Sequence, residues 1–183
     1  MAKLQDSGER REFETGAARD ISEGKGRCDL LPLDVVGQLL MAPPLFFMEK
    51  FKESKDVAYL QDAITTFCNV ISMDIPTAML EVSIHFEDGA KKYSENNWKK
   101  GIPLHAYLDS AARHYLKYAR GDTDEPHDRA FIWNLLCAYW TYAHKPEQDD
   151  VEIDSRPFET INEIRTRFGL ASFEELDKLV DHD

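Results

Sequence analysis

Pro126-His127-Asp128-Arg129-Ala130-Phe131-Ile132-Trp133-Asn134-Leu135-Leu136-Cys137-Ala138-Tyr139-Trp140-Thr141-Tyr142-Ala143 reads as a helix that is apolar almost all round. Such a helix has no solvent face and belongs at the centre of a bundle. Asp124 and Glu125 lead into it and Pro126 stands in its first turn, which favours negative charge and tolerates a missing N–H. Pro146 bounds its far end. One line breaks the apolar surface: His127, Asn134 and Thr141, spaced seven apart and therefore on one side. Buried polar groups need partners, so a polar line on a buried helix marks a candidate site.

Helical periodicity continues in both directions. Leu104 to Ala119 forms a second helix ending at Gly121, with a core stripe of Leu104, Leu108, Ala112, Tyr115 and Ala119. Asp109 and Arg113 lie at one border of that stripe, and His114 lies at the other. A helix from Pro76 to Tyr93 carries an apolar arc of Met79, Leu80, Val82, Ile84, Phe86, Ala90 and Tyr93. Glu87 falls inside this arc, whereas Glu81, His85 and Asp88 fall outside it. A carboxylate facing a core requires a partner, a proton or a metal. Leu33–Met41, stopped by Pro43-Pro44, and residues 45–73 are also helical in spacing. Strand alternation is nearly absent, so the expected class is all-α, a helical bundle with an extended N-terminal arm. The expected organisation is an arm over residues 1–32, flexible and glycine-bearing, and a helical domain over 33–146. An acidic appendage follows over 147–183, with short helical patterns near 158–168 and 173–180.

The chain has 183 residues and a formal net charge of −12. The charge is uneven: residues 147–183 carry a net of −8, while residues 87–134 are neutral. An acidic surface disfavours a nucleic-acid polymer as partner. It admits a phosphate ligand in a locally neutral site with a bound cation. Cys28, Cys68 and Cys137 have no metal-ligand spacing, as expected in a reducing compartment. No apolar run approaches the roughly 20 residues of a membrane span, and no signal peptide is evident, so the expected location is cytoplasmic, away from membranes.

The three helices offer Glu87, Asp109, Arg113, His127 and Asn134 to a shared interior. Carboxylates with imidazole suit a divalent cation, which can bridge phosphate oxygens and activate water. Lys91, Lys92 and Arg113 would then hold phosphate charge, and Trp98 would stack on a base.

Several blocks occur in one order: Phe13-x-Thr15-Gly16-Ala17-x-Arg19-Asp20, Gly24-Lys25-Gly26-Arg27-x-Asp29-Leu30-Leu31-Pro32, Glu87-x-Gly89-Ala90-Lys91-Lys92-Tyr93, Asn97-Trp98-x-Lys100-Gly101, Arg113-His114, Gly121-Asp122-x-Asp124-Glu125-x-His127 and Trp133-Asn134. This set resembles the phage and prophage dATP/dGTP diphosphohydrolases, the MazZ-like branch related to the all-α MazG nucleotide pyrophosphohydrolases. The matching blocks span about 13–36 and 75–143, with residues 37–74 resembling an insertion. The resemblance implies a metal-dependent enzyme that cleaves a purine deoxynucleoside triphosphate to monophosphate and pyrophosphate. It would use Mg2+, with Mn2+ or another transition metal as alternatives. It implies Glu87 and His127 as lead metal ligands, with His114, Asp124 and Glu125 as further candidates and Arg113 in catalysis. Lys25, Arg27, Lys91 and Arg113 would meet phosphates; Tyr93, Asn97, Trp98 and Asn134 would line the nucleoside site. It also implies a homo-oligomer, encoded by a phage or prophage. The chain departs from the MazG pattern at Lys91, where a third acid is expected, while Glu125-x-x-Asp128 keeps a later acidic spacing. Two alternatives stand beside it: an HD-like triphosphohydrolase using His114 and His127, and a non-catalytic helical phage protein binding a host partner.

Overall fold

The computed structural model describes residues 8–153, which form six α-helices and one short hairpin. The expected all-α class holds. Strands β1 (Arg10–Glu12) and β2 (Ala18–Asp20) pair antiparallel, with Arg10 opposite Asp20. The helices are α1 (Leu33–Leu39), α2 (Pro43–Ser54), α3 (Ala58–Val70), α4 (Ile75–Lys92), α5 (Leu104–Arg120) and α6 (His127–His144).

The punctuation is local chemistry. Pro43 and Pro44 end α1 and occupy the first turn of α2, where no N–H is missed. Asp74 caps α4: its Oδ1 accepts from the Thr77 amide at 2.9 Å and its Oδ2 from the Thr77 hydroxyl at 2.8 Å. These bonds hold its carboxyl below the usual range. Gly121 takes φ 87° at the end of α5, which lets its amide and that of Asp122 bond back to Tyr118 and Lys117. Gly37 sets how closely α1 approaches the start of α2. A Cβ there would lie 3.0 Å from the Phe46 amide nitrogen and 3.1 Å from the Ala42 oxygen.

Helix α6 is central. Phe131, Ile132, Leu135, Cys137 and Ala138 are buried, and α3, α4 and α5 all pack on it. The Phe67 ring on α3 meets Phe131 at 4.5 Å, Tyr115 at 5.7 Å and Tyr118 at 5.2 Å. Residues 37–74 therefore supply α2 and α3 to the same core, with Leu45, Met48, Phe51, Leu60 and Phe67 fully buried.

Two expectations change. The arm is docked rather than flexible across its described residues. Ala17 is fully buried, and the Thr15 hydroxyl donates to the Gly101 carbonyl. The Asn97 side chain takes the place of a strand partner for Ala18, accepting from its amide at 2.9 Å and donating to its carbonyl at 2.8 Å. The second change is the rotation of α4. Its inward line is Ala78, Val82 and His85, while Leu80 is 71% exposed and Glu87 faces outward. The apolar arc of the sequence is wide, and the neighbours of α4 select its His85 edge. Residues 146–153 pack on the same body, with Lys55 bonding Asp149 at 2.7 Å. The helical patterns expected near 158–168 and 173–180 lie outside the described residues.

Candidate active site

Gly121 and the short turn after it fold α6 back along α5, bringing the last turns of α5 beside the first turn of α6. His114, Glu125 and His127 meet there. His114 Nδ1 lies 3.0 Å from His127 Nδ1, and Glu125 Oε1 lies 3.7 and 3.6 Å from those two nitrogens. On the far side of the ring, His127 Nε2 bonds Asp124 Oδ1 at 2.8 Å. Since a carboxylate accepts, this bond assigns the ring proton to Nε2 and leaves the Nδ1 lone pair facing His114 and Glu125. Burial keeps His114 neutral, well below the ordinary histidine range, with His127 adding to the effect. Asp124 is held well below the ordinary carboxylate range by Lys117 and His127. A second group, Asp122, Asp124 and His127, also has its ligand atoms within 4.8 Å of one another.

His114 and Glu125 open onto a cavity of about 1140 Å³ bounded by the hairpin, α4, the 94–98 turn, α5 and α6. Its wall carries Arg11, Arg19, Lys25, Arg113, Lys117 and Arg120 against Asp20, Glu87, Glu95, Asp109 and Glu125. This basic share stands in a protein whose formal charge is −12. Phe86, Tyr93, Trp98 and Trp133 supply aromatic surface. Three buried nitrogens of wall residues have no hydrogen-bond partner among the described residues: Arg11 Nε, His85 Nδ1 and Trp133 Nε1. Orphaned buried donors and acceptors around a cavity are what a bound ligand would satisfy.

Burial, then the nearby Arg129 and Arg19 charges, depress the His85 pKa to about 4. An unfolded histidine titrates near 6.5. The neutral ring therefore contributes its full stability above pH 6.5, and this is lost as pH falls from 6.5 toward 4. Urea unfolding at pH 7 and pH 4.5 should show the parent losing about 2–3 kcal/mol through this group. His85→Phe should lose correspondingly less; equal losses in the two proteins would show that His85 is not held neutral.

The other expected site residues fall into distinct places. Glu87 is on the cavity wall but 62% exposed, ion-paired to Lys91, and outside both acid–imidazole groups. The inward orientation expected for it is thus corrected, and His85 takes that position. Lys91 is equally exposed, at 65%, and off the cavity wall. Arg27 also lies off the wall, paired with Asp29 through Nε at 2.7 Å. Lys25 lines the cavity. Arg113 does so too, while bonding the Gly26 carbonyl at 2.8 Å and pairing with Asp109. Tyr93 donates to Asp20 at 2.8 Å, and burial beside that carboxylate pushes its phenol up. Asn97 lines the cavity while clamping Ala18. Trp98 lies edge-on to Trp140 at 5.0 Å and to Phe86 at 5.4 Å. Asn134 donates to Ala130 O at 2.7 Å and accepts from Arg19 at 2.8 Å. Sequence reasoning missed Arg19, His85 and Trp133 as wall residues, although Arg19 and Trp133 stand in the quoted blocks.

Residues 61–151, about half of the chain, match the family model described as dATP/dGTP diphosphohydrolase, N-terminal. No curated protein and no solved structure matches the chain. Through residues 61–151, which hold α4, α5, α6 and the whole His114–Glu125–His127 cluster, the chain belongs to the dATP/dGTP diphosphohydrolase family, a family of enzymes.

Proposed function

We propose that this chain hydrolyses dATP and dGTP to the monophosphate and pyrophosphate in a reaction that depends on a divalent cation. The observation that carries it is one cavity whose wall joins an acid–imidazole cluster to a set of cationic and aromatic side chains. The donors fit a cation. Two imidazole nitrogens and a carboxylate oxygen, separated by 3.0, 3.6 and 3.7 Å, can share one ion at the roughly 2.0–2.2 Å of such bonds. His114, Glu125 and His127 would hold it, with Asp124 orienting His127 from behind, an outer contact that fixes a ligating imidazole. Bound there, the ion would polarise a phosphate oxygen and lower the pKa of a water.

The chain's own groups do the rest. Lys25, Arg113, Lys117 and Arg120 bring positive charge to the cavity for the triphosphate. Arg113 pins the Lys25–Gly26 backbone and so shapes that wall. Trp98 and Tyr93 give the purine an aromatic surface. Imidazole donors favour Mn2+ or another transition metal over Mg2+, whose preferred ligands are oxygens. Glu87 then stands at the rim and outside the metal's ligand set. The MazZ-like resemblance adds a phage or prophage origin, action in the host cytoplasm and a homo-oligomeric state. No single helix among the described residues is long and apolar enough to cross a membrane.

Purified protein, stripped of metal and then supplied with Mg2+, Mn2+ or Co2+, should release dAMP or dGMP together with pyrophosphate. Deoxynucleoside and tripolyphosphate as products would assign the HD-like alternative instead. No turnover of either nucleotide with any of these ions would overturn the proposal.

A further inference from the structure

Among the described residues, Arg19 is a cation without a counter-ion. It sits on β2, outside the matched residues 61–151, and reaches across the cavity wall to α5 and α6. Nη1 donates to the Ala106 carbonyl at 3.1 Å; Nη2 donates to Ser110 Oγ at 3.1 Å and to Asn134 Oδ1 at 2.8 Å. The guanidinium lies 5.1 Å from the Tyr107 ring centre and 5.7 Å from that of Trp133. Every one of these partners is neutral. Among the described residues no carboxylate pairs with it, and its Nε–H and second Nη1–H have no partner.

In a chain with 34 acidic against 22 basic residues, carboxylates are in ample supply. The cations of the facing α5 wall use them: Arg113 pairs with Asp109, Lys117 with Asp124 and Arg120 with Asp122. A desolvated guanidinium left without an anion is costly, and burial lowers the Arg19 pKa accordingly. The cost is offset once an anion arrives from solution. Asn134 holds the guanidinium in one orientation, since its own amide is anchored to Ala130 O at 2.7 Å. A planar fork fixed in this way, with donors left over, matches two oxygens of a phosphate better than a flexible ammonium would.

Resting on the diphosphohydrolase reading, we infer that Arg19 binds a phosphate group of the nucleotide, so that the docked N-terminal hairpin completes a site whose other walls come from the matched helices. The hairpin is a substrate-gripping element, and the phosphate supplies the charge that Arg19 lacks. Asn97, which bonds Ala18 from both sides, sets the register that delivers Arg19.

The test is calorimetric binding of tripolyphosphate and of dATP to the full chain without metal, alongside the Michaelis constant for dATP with metal. Arg19→Gln should weaken both ligands about 10- to 100-fold, the range of a charge-assisted hydrogen-bond set. Arg19→Lys, which keeps the charge and loses the fork, should weaken both by about 10-fold or more. It decides the matter should the Gln variant not fold. Folding is read from circular dichroism and the thermal midpoint. A folded Arg19→Lys that binds both ligands like the parent, with an unchanged Michaelis constant, overturns the role of Arg19 while leaving the diphosphohydrolase reading intact. A parent that binds tripolyphosphate through Arg19 but turns over no nucleotide with any metal supports the anion site and overturns the enzymatic reading.

Discussion

On the proposed reading, His127→Ala should lower dATP and dGTP turnover by at least about 100-fold while the helical circular dichroism persists. The expected size follows from losing the proposed direct metal donor, since losing only an outer contact to such a donor costs about 10–100-fold. His127 is 2% exposed, and its two ring nitrogens face Asp124 and His114. Alanine would therefore remove both the proposed donor to the cation and its link to Asp124. Asp124→Asn should give the smaller of these effects, weakening metal affinity about 10–100-fold, because the carboxamide still bonds the ring and no longer carries charge. Glu87→Gln should leave turnover within about twofold of the parent, because an exposed i,i+4 pair with Lys91 contributes little. Activity and bound-metal content of the three variants, measured on one preparation each, decide the assignment. Loss of turnover in Glu87→Gln together with normal turnover in His127→Ala would reverse it.

Phe67→Ala should destabilise the fold by about 3–5 kcal/mol, the range for deleting a buried ring. The Phe67 side chain is fully buried, with Phe131, Tyr115 and Tyr118 around it. Three rigid helices meet at this ring, so the space left behind cannot collapse cheaply. With a urea m-value on the order of 2 kcal/mol/M, the midpoint should fall by about 2 M. Leu39→Ala is the control: at 78% exposed, it should shift stability by less than about 0.5 kcal/mol. The comparison bears on how residues 37–74 function in the fold. A dispensable insertion would tolerate Phe67→Ala, whereas a core-building segment would not.

Helix class, boundaries and the centrality of α6 were legible in the sequence because they depend on residues near one another in the chain. Pro43-Pro44 and Gly121 act through their own backbone and its nearest turn, and an all-round apolar segment has no stable place except the interior. In the sequence His114 and Glu125 entered the site only as what the resemblance implies; their meeting with His127 is a fact of the tertiary structure, made by the turn between two helices. The 121–126 turn is too short to let the ends of α5 and α6 part.

Two further things were decided only in three dimensions. The rotation of α4 placed His85 inside and Glu87 outside, though the two are only two residues apart, because a wide apolar arc can settle on either edge and the packing of α6 selects one. The docking of the hairpin placed Arg19 in the cavity through contacts with Asn97, Ser110 and Asn134, which lie from 79 to 115 residues away from their hairpin partners. No local periodicity encodes a contact of that separation; it forms only when the bundle already presents the surface that receives it.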